Sequence, residues 1–125
     1  MTAIKVVDAS ALAAGLFAEP EGEAMARRLR GGNLVAPSLL GYEISNVCLT
    51  KLRANPAQRA AFLAAFAHWS DMGIELVAVD HDAVLAVAEQ FALTTYDASY
   101  LWLSRRLGAE LVTLDKRLAS ARPGR

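Results

Sequence analysis

The sequence predicts an α/β protein, an α/β/α sandwich built around a short central parallel sheet. Four short apolar runs, rich in β-branched residues, alternate with longer Ala- and Leu-rich segments of helical length along the 125 residues. Short buried strands separated by helices are typical of a parallel sheet that helices cover on both sides. The chain length fits a single domain over residues 1–125.

Composition and charge limit the classes of protein to which the chain can belong. Apolar residues make up 54% of the chain and charged residues 21%, as in globular proteins. Thirteen basic and thirteen acidic residues give a net charge of zero, which argues against holding nucleic acid by bulk charge alone. No apolar run reaches the ~18 residues of a membrane span, and the first residues lack a secretory pattern. We therefore expect a cytoplasmic protein without membrane contact.

The chain is predicted to begin with a strand and two helices. Ala3–Val7 is a β-branched run too short for a helix. Ser10–Ala18 is an Ala- and Leu-rich helix that ends at Glu19-Pro20, because proline disfavours helical geometry in the residue before it. The same proline suits the first turn of the next helix, which runs to Arg30 before a Gly-Gly pair.

The middle of the chain departs from strict alternation. A second strand, Asn33–Ala36, leads into a helix from Leu39 to about Arg53, and Asn55-Pro56 separates this from a helix over about Ala57–Asp71. No strand lies between these two helices. They are therefore predicted to form a helical hairpin that protrudes from the sheet.

The remaining elements return to alternation. Ile74–Val79 is the third strand, and Asp80 looks like the N-cap of a helix over Ala83–Phe91. Asp97 is predicted to open an apolar helix that a glycine ends, and Glu110–Thr113 is the fourth strand.

Four carboxylates occur where elements reach one edge of the predicted sheet, the edge at which such folds bind ligands. Asp8 ends the first strand, Glu43 lies early in the third helix, Asp97 opens the last long helix and Asp115 follows the fourth strand. Taken singly, the three aspartates could be helix caps or turn residues. Glu43 is harder to explain as a solvated residue, because it lies at the margin of its helix's apolar arc.

Clustered carboxylates need a counter-charge. Two of them ~4 Å apart repel by roughly 4 kcal/mol at an effective dielectric near 20, so a cluster binds a cation or takes up protons. Oxygen ligands without matching His or Cys suit Mg²⁺ or Mn²⁺. Zinc is not expected, since His68 and His81 lie on other elements and Cys48, predicted to be a buried thiol, has no partner.

Two hydroxyls accompany the acids at short spacing. Ser10 lies two residues after Asp8, and Thr113 lies two residues before Asp115. Both could hold a carboxylate or a metal-bound water in place, the supporting role common around metal ligands. The alternative is a capping serine and an ordinary strand threonine.

At these residues the chain resembles the PIN-domain ribonucleases and, within them, the VapC-type toxins of bacterial toxin–antitoxin pairs. The matching pieces are VDASAL from Val7, PSLLGYEISNV from Pro37, YDASYL from Tyr96 and LGAELVTLDKR from Leu107. They fall in family order and span nearly the whole chain. The resemblance implies a PIN-like fold and carries over the acidic site, formed by Asp8, Glu43, Asp97 and Asp115. Ser10 and Thr113 fall where the family often has Ser or Thr.

The resemblance implies an Mg²⁺- or Mn²⁺-dependent endoribonuclease that cleaves tRNA or rRNA and leaves a 5′-phosphate and a 3′-hydroxyl. Asp8, Asp97 and Asp115 would be the main metal ligands, and Glu43 would bind metal or orient the attacking water. Arg and Lys side chains near the cleft could anchor RNA phosphates. The candidates for this contact are Lys116 and Arg117.

It also implies a homodimer and a cognate VapB-type antitoxin, whose C-terminal segment would cross an apolar groove and block the acidic cleft. Apolar residues of the first two helices could line that groove or could equally belong to the core. These residues are Leu12, Leu16, Phe17 and Met25.

Three other functions compete with the toxin reading. One is a free-standing PIN-domain nuclease that processes RNA, and another is a PIN-like interaction module without catalysis. The third is a phospho-accepting receiver domain. A single aspartate, rather than an acidic pair, ends the first strand, which argues against the receiver domain.

Overall fold

A computed structural model of the chain describes residues 2–121 and shows a four-stranded, all-parallel sheet flanked by helices. The sheet has the order β3-β2-β1-β4, and its strands are β1 (Ile4–Val7), β2 (Asn33–Pro37), β3 (Glu75–Val77) and β4 (Glu110–Val112). The α-helices are α1 (Ala9–Leu16), α2 (Gly22–Leu29), α3 (Leu40–Ala54), α4 (Arg59–Ala67), α5 (His81–Phe91), α6 (Thr95–Leu107) and α7 (Lys116–Ala119). The predicted fold class is confirmed.

Strand β1 lies inside the sheet and joins distant parts of the chain. It pairs with β2 on one side and β4 on the other, with Lys5 opposite both Leu34 and Glu110. Just beyond the strand, the Asp8 amide donates a 3.2 Å hydrogen bond to the Val112 carbonyl. The carboxyl ends of β1 and β4 therefore lie side by side, which is where a parallel sheet collects ligand-binding residues.

Two groups of helices enclose the sheet. Helix α6 packs against β1, β2 and β4 and also against α5, whereas α1 packs against α2 and α3. The close approach of α1 and α2 depends on Gly22, because a Cβ at this position would lie only 2.4 Å from the Ala14 carbonyl oxygen. The largest fully buried side chains include Leu12, Leu40, Ile44, Tyr100 and Leu118.

The hairpin after β2 is present, but its second helix differs from the prediction. The prediction of one continuous helix over about Ala57–Asp71 is wrong. A 3₁₀ helix, Pro56–Gln58, precedes α4, and a second 3₁₀ helix, His68–Met72, follows it. Pro56 has no amide hydrogen to donate, so it is suited to the first turn of a helix and not to the interior of one. Helix α4 packs on α3 and has no fully buried side chain, although Phe66 is partly buried against the core.

The boundary of α6 also differs from the prediction. Asp97 does not open this helix. Thr94 is the N-cap, its hydroxyl accepts a 3.1 Å hydrogen bond from the Asp97 amide, and Asp97 is the third helical residue. By contrast, the predicted cap of α5 is confirmed, since Asp80 Oδ1 accepts from the Ala83 amide at 3.1 Å.

The four apolar residues of the first two helices divide between core and surface. Leu12 and Met25 are buried in the core, whereas Leu16 and Phe17 are partly buried. Cys48 is buried, as predicted. Within residues 2–121, no helix has both the length and the apolar character needed to cross a bilayer.

Candidate functional site

Asp8 is the most deeply buried of the four predicted site carboxylates. It follows β1 and caps α1, and its side chain is 6% exposed. Oδ1 accepts hydrogen bonds from the Ala11 amide at 3.0 Å and from Ser10 Oγ at 2.7 Å. Burial raises the pKa of Asp8 above its ordinary value near 3.8, and the charge of Asp115 raises it further, against the opposing effect of its hydrogen bonds. The local capping role and a place in an acidic site are therefore both real for this residue.

Two hydroxyls tie Asp8 to the loop after β4. Thr113 Oγ1 donates to Asp8 Oδ2 and accepts a 2.9 Å hydrogen bond from the Asp115 amide. Ser10 Oγ, which donates to Asp8, accepts from the Leu114 amide at 2.9 Å. Each hydroxyl thus links the end of β1 to the segment that carries Asp115. Ser10 and Thr113 occupy the supporting positions that the sequence suggested, and this bridge holds Asp8 in one orientation.

Glu43 projects from the first turn of α3 toward α6. Its Oε1 accepts a 2.5 Å hydrogen bond from the phenol of Tyr100, a side chain that is only 1% exposed. Burial raises the pKa of Glu43 above its ordinary value near 4.5, the Tyr100 hydrogen bond lowers it, and the charges of Asp8 and Asp97 raise it. The pKa of Tyr100 is raised by burial and by the same bond, so the phenol keeps its proton and remains a donor.

Asp97 and Asp115 complete the acidic set from the other side. Asp97 lies in the first turn of α6 and is partly buried, and burial and the charges of Asp115 and Asp8 raise its pKa. Asp115 caps the short helix α7, and its Oδ1 accepts from the Arg117 and Leu118 amides at 2.9 and 3.3 Å. Its other oxygen, Oδ2, accepts no hydrogen bond from residues 2–121.

The four carboxylates therefore share one electrostatic environment although they come from four elements. Each of the pairs Asp8–Asp115, Glu43–Asp8, Glu43–Asp97 and Asp97–Asp115 is close enough for one charge to raise the other residue's pKa. Across residues 2–121, however, no three His, Cys, Asp or Glu side chains stand close enough together to form a ready-made metal cage. A cation that binds several of them at once would have to draw them closer together.

The chemistry of this donor set fits a hard divalent cation. All four groups are oxygen donors, and no histidine or cysteine joins them; His68 and His81 are exposed on other elements. Besides Asp115 Oδ2, Glu43 Oε2 also accepts no hydrogen bond from the described residues. Repulsion between the carboxylates adds to the effect of burial in raising the pKa values of Asp8, Glu43 and Asp97, and a bound cation would relieve that repulsion.

The two basic candidates lie beside the acids, on α7. The charge of Arg117 lowers the pKa of Asp97, so its guanidinium is close to that carboxylate, and it also donates a 3.2 Å hydrogen bond to the Ala92 carbonyl. Lys116 is exposed at the start of the same helix. Both cations are on the side of the cluster formed by Asp97 and Asp115.

All four acids and both hydroxyls thus gather at the carboxyl edge of the sheet. Tyr100 and Thr94, which contact Glu43 and Asp97, are not among the residues predicted from the sequence. Tyr100 follows Asp97 by three residues, a spacing that places both on one helix face. In the sequence, however, it cannot be told apart from the other apolar residues of this helix. Thr94 followed three residues later by an acid is a helix-start pattern that could have been recognised.

Comparison with known proteins agrees with this architecture. A family model described as the PIN domain matches residues 5–122. The crystal structure of PAE2754 from Pyrobaculum aerophilum is similar, with a TM-score of 0.74 and 29% sequence identity over 93% of this chain and 77% of that chain. None of the curated proteins searched matches the chain.

Proposed function

Because the chain belongs to the PIN-domain family, whose members are in general metal-dependent nucleases, we propose that it is a VapC-type toxin of a type II toxin–antitoxin system. In this role it is an endoribonuclease that requires Mg²⁺ or Mn²⁺. The observation that carries the proposal is the convergence of Asp8, Glu43, Asp97 and Asp115 on one electrostatic cluster. An interaction module without catalysis has no need for four mutually repelling carboxylates.

In this mechanism the three aspartates would hold the cation. Asp8 would be the fixed ligand, because Ser10 and Thr113 already orient both of its oxygens. Asp97 and Asp115 would supply further oxygens from α6 and from the N-cap of α7. When bound, the cation lowers the pKa of an attacking water and offsets the charge that develops on the phosphate.

Glu43 and the basic residues act on water and substrate. The Tyr100 phenol fixes Glu43 through Oε1, so Oε2 is left to orient the attacking water and accept its proton. Arg117 and Lys116 bind substrate phosphates beside Asp97 and Asp115. Attack of water on the phosphorus would break the P–O3′ bond, so the phosphate stays on the 5′ oxygen and the leaving O3′ takes a proton from solvent. The products would be a 5′-phosphate and a 3′-hydroxyl.

The substrate and partners follow from the likeness to VapC toxins. The RNA is a tRNA or rRNA, cut in an accessible single-stranded loop, where specific recognition of RNA usually occurs. The protein forms a homodimer, and a VapB-type antitoxin blocks the acidic cleft. Leu16 and Phe17, the partly buried members of the four apolar residues on α1 and α2, are candidates for the antitoxin groove.

The test compares wild-type protein with Asp97→Asn, a nearly isosteric change that removes one carboxylate. After brief expression, mapping of new RNA 5′ ends should reveal discrete cuts with wild type and none with Asp97→Asn. The purified wild type should cleave the same RNA in Mg²⁺ or Mn²⁺ and not in EDTA.

Asp82→Asn is the matched control, because Asp82 is an exposed first-turn acid of α5 outside the cluster. It should cleave like wild type. Undiminished growth arrest by Asp97→Asn would contradict the proposal, and so would a wild-type protein that cleaves no RNA in either metal.

A further inference from the structure

The two most exposed large hydrophobic side chains within residues 2–121 both stand next to the acidic cluster. Tyr42 is 83% exposed and Tyr96 is 65% exposed. Each directly precedes a cluster carboxylate in the chain, Tyr42 before Glu43 on α3 and Tyr96 before Asp97 on α6. Single exposed apolar residues are common on protein surfaces, but two tyrosines placed in this way flank one side of the acidic cleft.

A groove runs between and beyond these rings. A cavity of about 330 Å³ lies between Tyr42 and Tyr96 and is also lined by Leu39, Glu43 and Asn46. A neighbouring cavity of about 180 Å³ shares Tyr96 and Leu39 and extends to His81. A third, of about 460 Å³, shares Tyr42 and Asn46. The three cavities are neighbours that share lining residues, and Glu43 lines the central one. We call the surface that they form together the groove.

The chemistry of the groove suits bases rather than phosphates. Its lining contains no lysine or arginine from the described part of the chain, whereas Lys116 and Arg117 lie on α7. Aromatic faces stack any nucleobase, and this is the usual contact with single-stranded RNA. Asn46 makes no side-chain hydrogen bond within residues 2–121, so its amide offers donors and an acceptor to a base edge.

We propose that this groove is the base-binding surface for single-stranded RNA, with Tyr42 and Tyr96 stacking nucleobases and Asn46 hydrogen-bonding to the edge of the base between them. The inference rests on the proposed function, since it names how that same cleft holds its substrate. It divides the recognition of RNA between two sides of the acidic cluster: bases bind in the groove, and phosphates bind at α7.

Binding is measured separately from cleavage, in the full-length protein. The background is Asp115→Asn, which should prevent cleavage and preserves the α7 cap, because asparagine caps helices as well as aspartate does. The probe is a short unstructured oligoribonucleotide with a fluorescent label, followed by anisotropy. Tyr42→Ala and Tyr96→Ala should each weaken binding about five- to thirtyfold, whereas Tyr42→Phe and Tyr96→Phe, which keep the ring, should stay within about twofold.

Two controls separate base stacking from other effects. Leu85→Ala removes a side chain of α5 that is 61% exposed and outside the groove, and it should leave RNA affinity unchanged. An abasic oligonucleotide with the same backbone should bind the parent and the alanine variants equally.

The role of Asn46 is tested in a cleavage-competent chain. There Asn46→Leu should flatten the base preference at one position beside the mapped cut.

Several results would overturn the base-binding groove. These are unchanged RNA affinity in both alanine variants, an equal loss of affinity for the abasic strand, and a change of oligomeric mass with RNA affinity intact, which would identify a protein interface. A wild type that cuts RNA while both alanine variants bind like the parent removes only this inference. A wild type that never cuts RNA removes the proposed function even if the tyrosine variants lose affinity.

Discussion

The phenol of Tyr100 donates a 2.5 Å hydrogen bond to Oε1 of Glu43, across the interface between α6 and α3. The donor is buried and its pKa is raised, so it keeps its proton at any pH near neutral. The bond fixes the orientation of the Glu43 carboxylate and leaves its other oxygen, Oε2, without a hydrogen bond from residues 2–121. It also counters the burial and the neighbouring charges that raise the pKa of Glu43.

Tyr100→Phe should therefore move the pH dependence of cleavage. Without the phenol the pKa of Glu43 rises further, so a smaller fraction of this carboxylate is ionised at a given pH. The acidic limb of the kcat/KM profile should shift upward by about one pH unit, with a loss of roughly tenfold on that limb. If the phenol had only a packing role, Tyr100→Phe would lower the free energy of unfolding by about 1 kcal/mol and leave the pH profile unchanged.

Thr113→Val should weaken metal binding without changing the size of the side chain much. The hydroxyl donates to Asp8 and accepts from the Asp115 amide, so its loss leaves a buried carboxylate oxygen and a partly buried amide unsatisfied. We expect a reduction of about 10–100-fold in metal affinity or activity and a loss of roughly 1–3 kcal/mol in stability. Titration of Mg²⁺ against initial cleavage rate measures the first effect. Thr113→Ser, which restores the hydroxyl, should recover most of it, and equal defects in both variants would contradict the bridging role.

The metal-free protein should become less stable as the pH rises from acid toward neutral. The folded-state pKa values of Asp8, Glu43 and Asp97 are raised above ordinary values near 3.8 and 4.5. Their contribution is therefore fully present below those ordinary values and is lost as the pH rises through the raised ones, because the folded state holds more protons than the unfolded state in that window. Urea unfolding in EDTA across this range measures the slope.

Addition of Mg²⁺ or Mn²⁺ should flatten that dependence, since a cation favours the ionised carboxylates. Asp97→Asn should also reduce the slope, because it removes one of the three contributing groups. A metal-free stability that rises with pH through the same window would show that these carboxylates are not the groups that govern it.

Two glycines on neighbouring helices should respond oppositely to alanine. A Cβ at Gly22 would lie 2.4 Å from the Ala14 carbonyl oxygen, whereas a Cβ at Gly15, an exposed position within α1, would meet only one atom, at 3.9 Å. Gly22→Ala should therefore cost about 1–3 kcal/mol, and Gly15→Ala should stabilise by roughly 0.5–1 kcal/mol. Chemical denaturation measures both, and a similar effect at the two positions would contradict the close α1–α2 packing.

Local signals were enough to predict the order of strands and helices and the capping role of Asp80. They could not distinguish whether Asp8 and Asp115 are helix caps or members of an acidic site. In the structure both are caps, and the charge of Asp115 raises the pKa of Asp8, so the two carboxylates are also neighbours. The pattern that makes a good cap, an acid just after a strand, also places a carboxylate at the ligand edge of a parallel sheet.

The contact made by Tyr100 could not be predicted from the sequence. Its partner, Glu43, lies 57 residues away on another helix, and only the packing of α6 against the sheet brings them together. The split of the predicted fourth helix into α4 and two 3₁₀ segments has a related cause. Helix α4 has no fully buried side chain, so weak local preferences decide the geometry of this segment.

The contact between Asp8 and Thr113 joins residues 105 positions apart, and six α-helices lie between β1 and β4 in the chain. A growing chain that has reached the end of α5 already holds Asp8, Ser10 and Glu43, but it lacks Asp97, Asp115 and the Thr113 hydroxyl, the second of the two that orient Asp8. Such long-range pairing forms late in folding. A complete acidic cluster therefore cannot form on the ribosome until the chain has emerged past Asp115, so synthesis itself delays the assembly of the cluster.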